Sequence, residues 1–243
     1  MKTNHIYNED CLKTMAKMPE NFIDLTVTSP PYDNMRDYKG YSFDFESVAK
    51  ELYRVTKVGG VVVWVVGDQV IKGNETGTSF RQALFFKEVG FNLFDTMIFL
   101  KPNLGIVGGG KAYGQSFEYM FVFSKGGYPK TINYIKDHKN KWRMTNKKST
   151  IRDKDGTLKS RTRKGTSSEY GKRNNVWYYD VGLYKTTKDP VYEHPAMFPE
   201  KLANDHIISW SMVNRRDFIG SEISQEYTEL ANERLSCSTQ PLL

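Results

Sequence analysis

The residues best suited to chemistry are Thr28-Ser29-Pro30-Pro31-Tyr32, set directly after an apolar run. Two successive prolines fix two φ angles and remove two amide donors, so the backbone leaves the run stiff and extended, with carbonyls free to face a ligand. A hydroxyl at Ser29 and a ring at Tyr32 flank that piece. A rigid turn without chemistry is the other reading of Pro-Pro taken alone. Elsewhere the signals are weaker. Cys11 and Cys237 fall in no Cys-x-x-Cys or Cys/His cluster with zinc spacing and read as inert thiols. Gly108-Gly109-Gly110 lacks the strand-before, helix-after setting of a phosphate or cofactor loop and reads as a mobile loop.

The elements that must position the pentapeptide can be traced by period. Phe22 to Thr28 reads as a buried strand, and Phe45 to Lys57 as an amphipathic helix stopped by Gly59-Gly60. Gly60 to Asp68 is a β-branched run bounded by glycine, and Thr78 to Val89 returns to helical spacing before Gly90. Phe94 to Leu100 and Glu118 to Phe123 are strand-like. Pro199 to Trp210 is helical, Asp217 to Glu222 a strand, and Ser224 to Leu235 a closing helix. Alternation of this kind predicts an α/β sheet with helices on both faces, whose ligands bind outside the carboxyl ends of the strands. The pentapeptide lies at such an end.

Composition sets the class. The chain has 243 residues, 39% hydrophobic and 26% charged, enough for one large domain or a domain with an insertion. No run approaches the roughly 18 apolar residues of a membrane helix, and the start lacks the apolar core of a signal peptide, which predicts a cytoplasmic chain. The net charge of +7 is unevenly spread. From Lys130 to Arg173 there are 15 Lys or Arg against Asp137, Asp153, Asp155 and Glu169, a net of +11; the remainder is at −4. An acidic-to-neutral body with one strongly basic segment suits a polyanion, because each neutralised phosphate releases counterions. Tyr134, Trp142, Tyr170, Trp177, Tyr178 and Tyr179 interleave flat rings with the charge, as nucleic-acid contacts require. A solvated, flexible insertion is the other reading; Lys130 to about Arg173 shows no clear period and reads as an inserted, loop-rich module. The predicted organisation is one domain over 5–126 and 190–235, interrupted by a basic module over 127–189.

At this point the residues resemble a known family, the S-adenosylmethionine-dependent DNA amino-methyltransferases, which modify the exocyclic amine of cytosine or adenine. Ser29-Pro30-Pro31-Tyr32 is similar to their catalytic motif. Asp10-Cys11-Leu12, Glu51-Leu52-Tyr53-Arg54-Val55 before Gly59-Gly60, Phe117-Glu118-Tyr119, His194-Pro195-Ala196-Met197-Phe198-Pro199 and Phe218-Ile219-Gly220-Ser221-Glu222 follow in an order that resembles the family's beta class. That order puts the catalytic loop first, the recognition region in the middle and the cofactor motifs last. The implied fold is a doubly wound, Rossmann-like methyltransferase sheet with an inserted basic DNA-recognition region.

The resemblance also implies roles. The Ser29 hydroxyl and Pro30 carbonyl would hydrogen-bond the two amine hydrogens, Pro31 would stiffen the loop, and the Tyr32 ring would stack on a base flipped out of double-stranded DNA. Asp10, Cys11, His194, Pro195, Phe198, Pro199 and Glu222 would hold S-adenosylmethionine, with Glu222 on the ribose hydroxyls and Asp10 on the adenine amine. Lys147, Lys148, Arg152, Arg161, Arg163, Lys164, Lys172 and Arg173 would contact DNA. No metal is implied. Ser at the first position of the tetrapeptide favours cytosine N4 over adenine N6 by family association. The resemblance leaves a homodimer open, and it points to DNA methylation of the restriction-modification kind in a prokaryotic or phage-encoded setting.

One family segment is not found. A strand and turn of the form Asp-Pro-Phe-x-Gly-x-Gly-Thr should precede the Glu222 strand, but Ser209 to Arg216 runs straight into Asp217-Phe218-Ile219. In the family that strand lies in the middle of the sheet, so the expectation is a central strand missing and a donor site impaired. Ile207 to Val213 reads as a helix end and no substitute. Three functions remain open: an impaired DNA amino-methyltransferase, a non-catalytic DNA-binding protein, and an RNA-modifying methyltransferase.

Overall fold

The computed structural model describes residues 1–31, 33, 43–105, 113–141, 145–180, 198–212 and 216–237; for 102–105, 145–147, 163 and 237 this is the backbone alone. Tyr32, Gly108-Gly109-Gly110, Trp142, His194 and Pro195 lie outside the described residues. The elements run β1 (His5–Tyr7), α1 (Cys11–Ala16), β2 (Ile23–Thr28), α2 (Phe45–Val55), β3 (Thr56–Val66), β4 (Val70–Ile71), β5 (Asn74–Glu75) and α3 (Thr78–Val89). They continue with β6 (Phe91–Gly105), β7 (Gln115–Lys125), β8 (His138–Lys139), β9 (Thr145–Arg152), β10 (Leu158–Thr166), β11 (Tyr170–Gly171) and β12 (Val176–Tyr178). Last come α4 (Glu200–Trp210), β13 (Ile219–Ser221) and α5 (Gln225–Cys237).

Residues 1–133 and 175–243 form one compact unit and 134–174 a second. In the first, five strands lie in the order β12-β6-β7-β3-β2. β2 and β3 are parallel, as are β12 and β6, while β7 runs antiparallel to both neighbours. A separate parallel pair, β1 with β13, completes the α/β arrangement. Among the described residues no strand joins that pair to β2, which ends the larger sheet.

The core follows from strand alternation. Val62, Trp64 and Val66 of β3, with Phe121 and Phe123 of β7, pack with Val48, Ala49, Leu52 and Val55 of α2 and with Phe86 of α3. Phe86 stacks on Phe123 with ring centroids 4.5 Å apart. Met120, of the opposite parity in β7, meets α4 instead, its sulfur 3.3 Å from Nε2 of His206. Trp177 of β12 lies over the same imidazole at 4.6 Å, and Nε1 of Trp210 donates to its Nδ1 at 3.1 Å. Helices thus cover both faces, as a doubly wound sheet requires. Burial, only partly opposed by the nearby Asp205 carboxylate, holds the His206 pKa down at about 3.

Two features differ from the sequence expectation. α2 ends at Val55, short of Gly59-Gly60, because Thr56 already pairs with Ile23, and its hydroxyl donates to the Leu52 carbonyl at 2.6 Å. Gly59, at φ +78°, serves a register shift inside β3, where a Cβ would stand 2.8 Å from that of Lys130. The basic segment, expected to be loop-rich, carries paired strands: β9 and β10 form an antiparallel hairpin with a register shift between Arg163 and Thr166, and β8 pairs with β11. Glu51 and Arg54, part of the family-like pentapeptide, serve structure. Arg54 pairs with Glu51 and donates to the Met15 and Met18 carbonyls at 2.7 and 2.8 Å, tying α2 to the end of α1. No described helix is long and apolar enough to cross a membrane.

Candidate active site

β2 carries Thr28 alongside Trp64 of β3, and the chain leaves the sheet there as Ser29-Pro30-Pro31. Ser29 is exposed, Pro30 buried and Pro31 half-buried. The hydroxyl therefore faces solvent beyond the carboxyl edge of two parallel strands, where such sheets bind ligands. Asp33 fixes the far side of the loop. It sits at φ +55°, a left-handed conformation costing a non-glycine residue on the order of 1 kcal/mol, and its carboxylate offsets that cost. The carboxylate accepts from the Gln69 amide at 3.1 Å and from the hydroxyls of Thr76 and Thr78.

Asp68 works beside it. Buried just past β3, it accepts from the Ser79 amide at 2.9 Å, from the Ser79 hydroxyl, and from the Thr76 hydroxyl at 3.3 Å. Gly77, the N-cap of α3, has no side chain to offer, so Asp68 supplies the missing acceptor and places negative charge at the positive end of the helix. Burial acts to raise the Asp33 pKa, but the Thr76 and Thr78 hydroxyls, the Gln69 amide and the Arg81 charge outweigh it and hold it below the ordinary carboxylate value. Neither aspartate stands out in the sequence. The available signal is Gly77 opening a periodic segment, a helix start that must be capped from elsewhere.

The acids expected at the cofactor end each follow one of two paired strands. β1 and β13 run parallel with Tyr7 beside Ser221, so Asn8 and Glu222 leave the pair on the same side. Glu222 donates its amide to the Tyr7 carbonyl at 3.0 Å, and Asn8 returns a bond from Nδ2 to the Glu222 carbonyl at 3.0 Å. One carboxylate oxygen of Glu222 accepts from the Ser224 amide at 2.8 Å. Asp10 caps α1 by accepting from the Leu12 amide at 2.7 Å. Cys11, next to it, is a half-buried free thiol whose pKa burial, and then the Asp10 charge, push up; it can pack against a ligand but not attack one.

Pro199 is buried and opens α4, with Phe198 half-buried before it. The far end of α4 is fixed near the start of β3: Asn133 bonds the carbonyls of Ile208, Ser209 and Ser211, and Lys130 donates to the Gly59 carbonyl at 2.8 Å. α4 packs on β2, the strand that leads into Ser29. Between Leu183 and Ile219 the sequence holds no glycine, and the described residues from Ser211 to Phe218 form no strand. Among the described residues no cluster of His, Cys, Asp and Glu could hold a metal ion.

In the second unit, Lys148, Arg152, Arg161 and Lys164 are exposed on the β9–β10 hairpin, and the register sets Lys147 opposite Arg163. Lys172 caps the Tyr134 ring at 3.4 Å and stays exposed. Arg173 stands apart from these, held in an ion pair with Asp137.

Solved structures with this architecture are Rossmann-like methyltransferases. The PvuII DNA methyltransferase (cytosine-N4-specific) matches with a TM-score of 0.68 at 17% identity, over 99% of this chain and 89% of the other. A Thermus thermophilus protein, described as a DNA modification methylase and complexed with S-adenosyl-L-methionine, gives 0.60 at 20% identity over 96% and 93%. In sequence, the orphan methyltransferase M.BamHII of Bacillus amyloliquefaciens is 52% identical over 88% of both chains, and the type II methyltransferase M.BglII of Bacillus subtilis is 26% identical over 96% of this chain and 69% of its own. Residues 23–215 match the N6_N4 DNA methylase profile, and the chain belongs to that family. The M.BamHII alignment runs over 236 positions, whereas 88% of this chain is about 214 residues, so some 22 positions have no residue here.

Proposed function

We propose that this chain is a DNA amino-methyltransferase that keeps its target-base loop but lacks part of its methyl-donor seat, so that as written it turns over little or nothing. The observation that carries this reading is the divided sheet, in which β1–β13 and β2 have no strand between them among the described residues. The glycine-free stretch before Ile219 and the unmatched positions against M.BamHII support it.

On this reading the loop does the following. An exocyclic amine conjugated to a base ring is a weak nucleophile because its lone pair is delocalised. The Ser29 hydroxyl and the Pro30 carbonyl accept its two hydrogens and draw the nitrogen toward tetrahedral geometry. Pro31 keeps the acceptors in place, and the Tyr32 ring stacks on the base, returning roughly 1 to 3 kcal/mol of the cost of flipping it from the duplex. Cytosine N4 is the proposed target, supported by Ser29 and by the specificity stated for the PvuII enzyme.

The residues present fit only one end of S-adenosylmethionine. Asp10 and Glu222 offer acceptors suited to the amine and hydroxyls of an adenosine, with Cys11, Phe198 and Pro199 as packing surface. The sequence holds no family-like glycine turn before Ile219 to seat the rest, and the described residues offer no substitute. Holding reactants in line within about 3 Å can contribute on the order of 7 to 11 kcal/mol, which is the contribution this chain forgoes.

Calorimetry with S-adenosylmethionine tests the reading. The chain as written should give no heat of micromolar-range binding. A version carrying a family-like insertion of roughly 20 to 25 residues after Met212, a strand with its turn and following connection, should bind and methylate. Mass spectrometry of DNA from cells carrying that version should show N4-methylcytosine; methylated adenine would reverse the choice of target. Methylation by the chain as written at a rate matching the completed version, abolished by Ser29→Ala, would overturn the proposal.

A further inference from the structure

The β9–β10 hairpin has a property that its sequence does not announce. Every residue of its two strands whose side chain is described is exposed, on both faces. An isolated two-stranded ribbon with no buried face is marginal in water, so a ribbon kept in this form suits an occupant from outside the chain. Its charge selects the occupant. Residues 145–166 hold eight Lys or Arg against Asp153 and Asp155. Both acids belong to the turn: Asp155 accepts from the Thr157 amide and hydroxyl at 3.0 and 2.7 Å, and Asp153 pairs with Lys159. The remaining length presents cations and hydroxyls, with apolar side chains only at Ile151 and Leu158 near the turn. That surface is too polar to enter a bilayer.

We infer that this ribbon enters the major groove of duplex DNA and reads base edges with the face carrying Ser149 and Arg161. The inference rests on the DNA-modifying function proposed above. Dimensions favour it: eight to nine residues at about 3.4 Å each give a ribbon of roughly 27 to 30 Å, and the major groove of B-DNA, about 12 Å wide, admits two strands. The deep, narrow major groove of A-form RNA does not.

The register separates the two faces. Ser149 opposes Arg161 on one, between the Lys147–Arg163 and Ile151–Lys159 positions; Lys148 opposes Thr162 and Thr150 opposes Ser160 on the other. Lys159 is drawn to Asp153, and Arg152 donates to the Gly156 carbonyl at 3.0 Å, so both tend the turn. Arg161 is thus the described guanidinium at mid-ribbon, a planar fork that matches O6 and N7 of guanine. The opposite face, with the Thr150–Ser160 hydroxyl pair, Thr162 and the point charge of Lys148, suits phosphates.

The test is selection of bound duplexes from a randomised pool by the full chain, repeated with exposed-site variants. Arg161→Ala should erase preference at one guanine position, from about tenfold or more to none, and Arg161→Lys should not restore it. Lys148→Ala should weaken all sequences alike and lower the salt slope by about 1. Netropsin in the minor groove should leave binding unchanged. Displacement by netropsin, an unaltered selected sequence with Arg161→Ala, or full rescue by Arg161→Lys would overturn the inference while leaving the DNA-modifying function standing. Failure of the chain to bind any duplex would remove that function and the ribbon's role with it.

Discussion

At the scale of single residues, Asp33 does the most for its size. It holds the end of the Ser29 loop in a left-handed turn and ties it to Gln69, Thr76 and Thr78. Asp33→Asn tolerates the backbone but gives up charge and acceptor capacity, and should cost about 1 to 3 kcal/mol in urea unfolding at neutral pH. Because its folded pKa is depressed, that contribution is complete above the unfolded value near 3.9 and is lost as pH falls through the folded one; the gap between wild type and variant should close on acidification. His206 moves stability over a different range. It stays neutral in the fold down to about pH 3, whereas an unfolded imidazole takes a proton near 6.5. Stability should therefore decline from about pH 6.5 downward, by at most about 1.4 kcal/mol per pH unit, and a His206→Gln variant measured the same way should lack that slope.

Among the elements, β9 and β10 carry the electrostatic prediction. Changing Arg161, Arg163 and Lys164 together to alanine should weaken DNA binding at low salt and flatten its salt dependence, read from titrations at several salt concentrations. Unchanged affinity would move the binding surface elsewhere. The hairpin also shows where sequence reasoning stops. Apolar period located β2, β3, α3, β7 and α4 to within a few residues, because each buries a face. β9 and β10 bury none, so no period marks them, and the legible cue was the Asp155-Gly156 turn between Thr- and Ser-rich arms. Ser29-Pro30-Pro31 could be read because proline imposes its own geometry. The bonds of Asp33 and Asp68 could not, since they join residues 8 to 45 positions apart in sequence.

For the molecule as a whole, the divided sheet predicts behaviour as well as chemistry. β2 and the β1–β13 pair each end in backbone groups without a strand partner among the described residues, and such edges recruit other chains. The chain as written should unfold at lower temperature than the version completed after Met212, and should scatter more light on standing at the same concentration. Limited proteolysis should cut first within residues 144–172, where both hairpin strands are exposed; early cleavage in 60–125 with that segment intact would contradict the assignment of the sheet as the stable body.

The two points where the chain leaves and re-enters the first unit are both tied down. Asn133 bonds three carbonyls at the end of α4, and Asn175 gives its carbonyl to the Ile98 amide at 2.8 Å and its side chain to Asp95 and the Thr96 carbonyl. Whatever lies between those asparagines is spliced between fixed ends. Residues 134–174 can then be treated as an exchangeable cassette: a chimera carrying the corresponding stretch of a relative should fold around the same body and take on the donor's DNA preference. A lineage that changes specificity by trading this one segment need not disturb the Ser29 loop proposed to hold the target base.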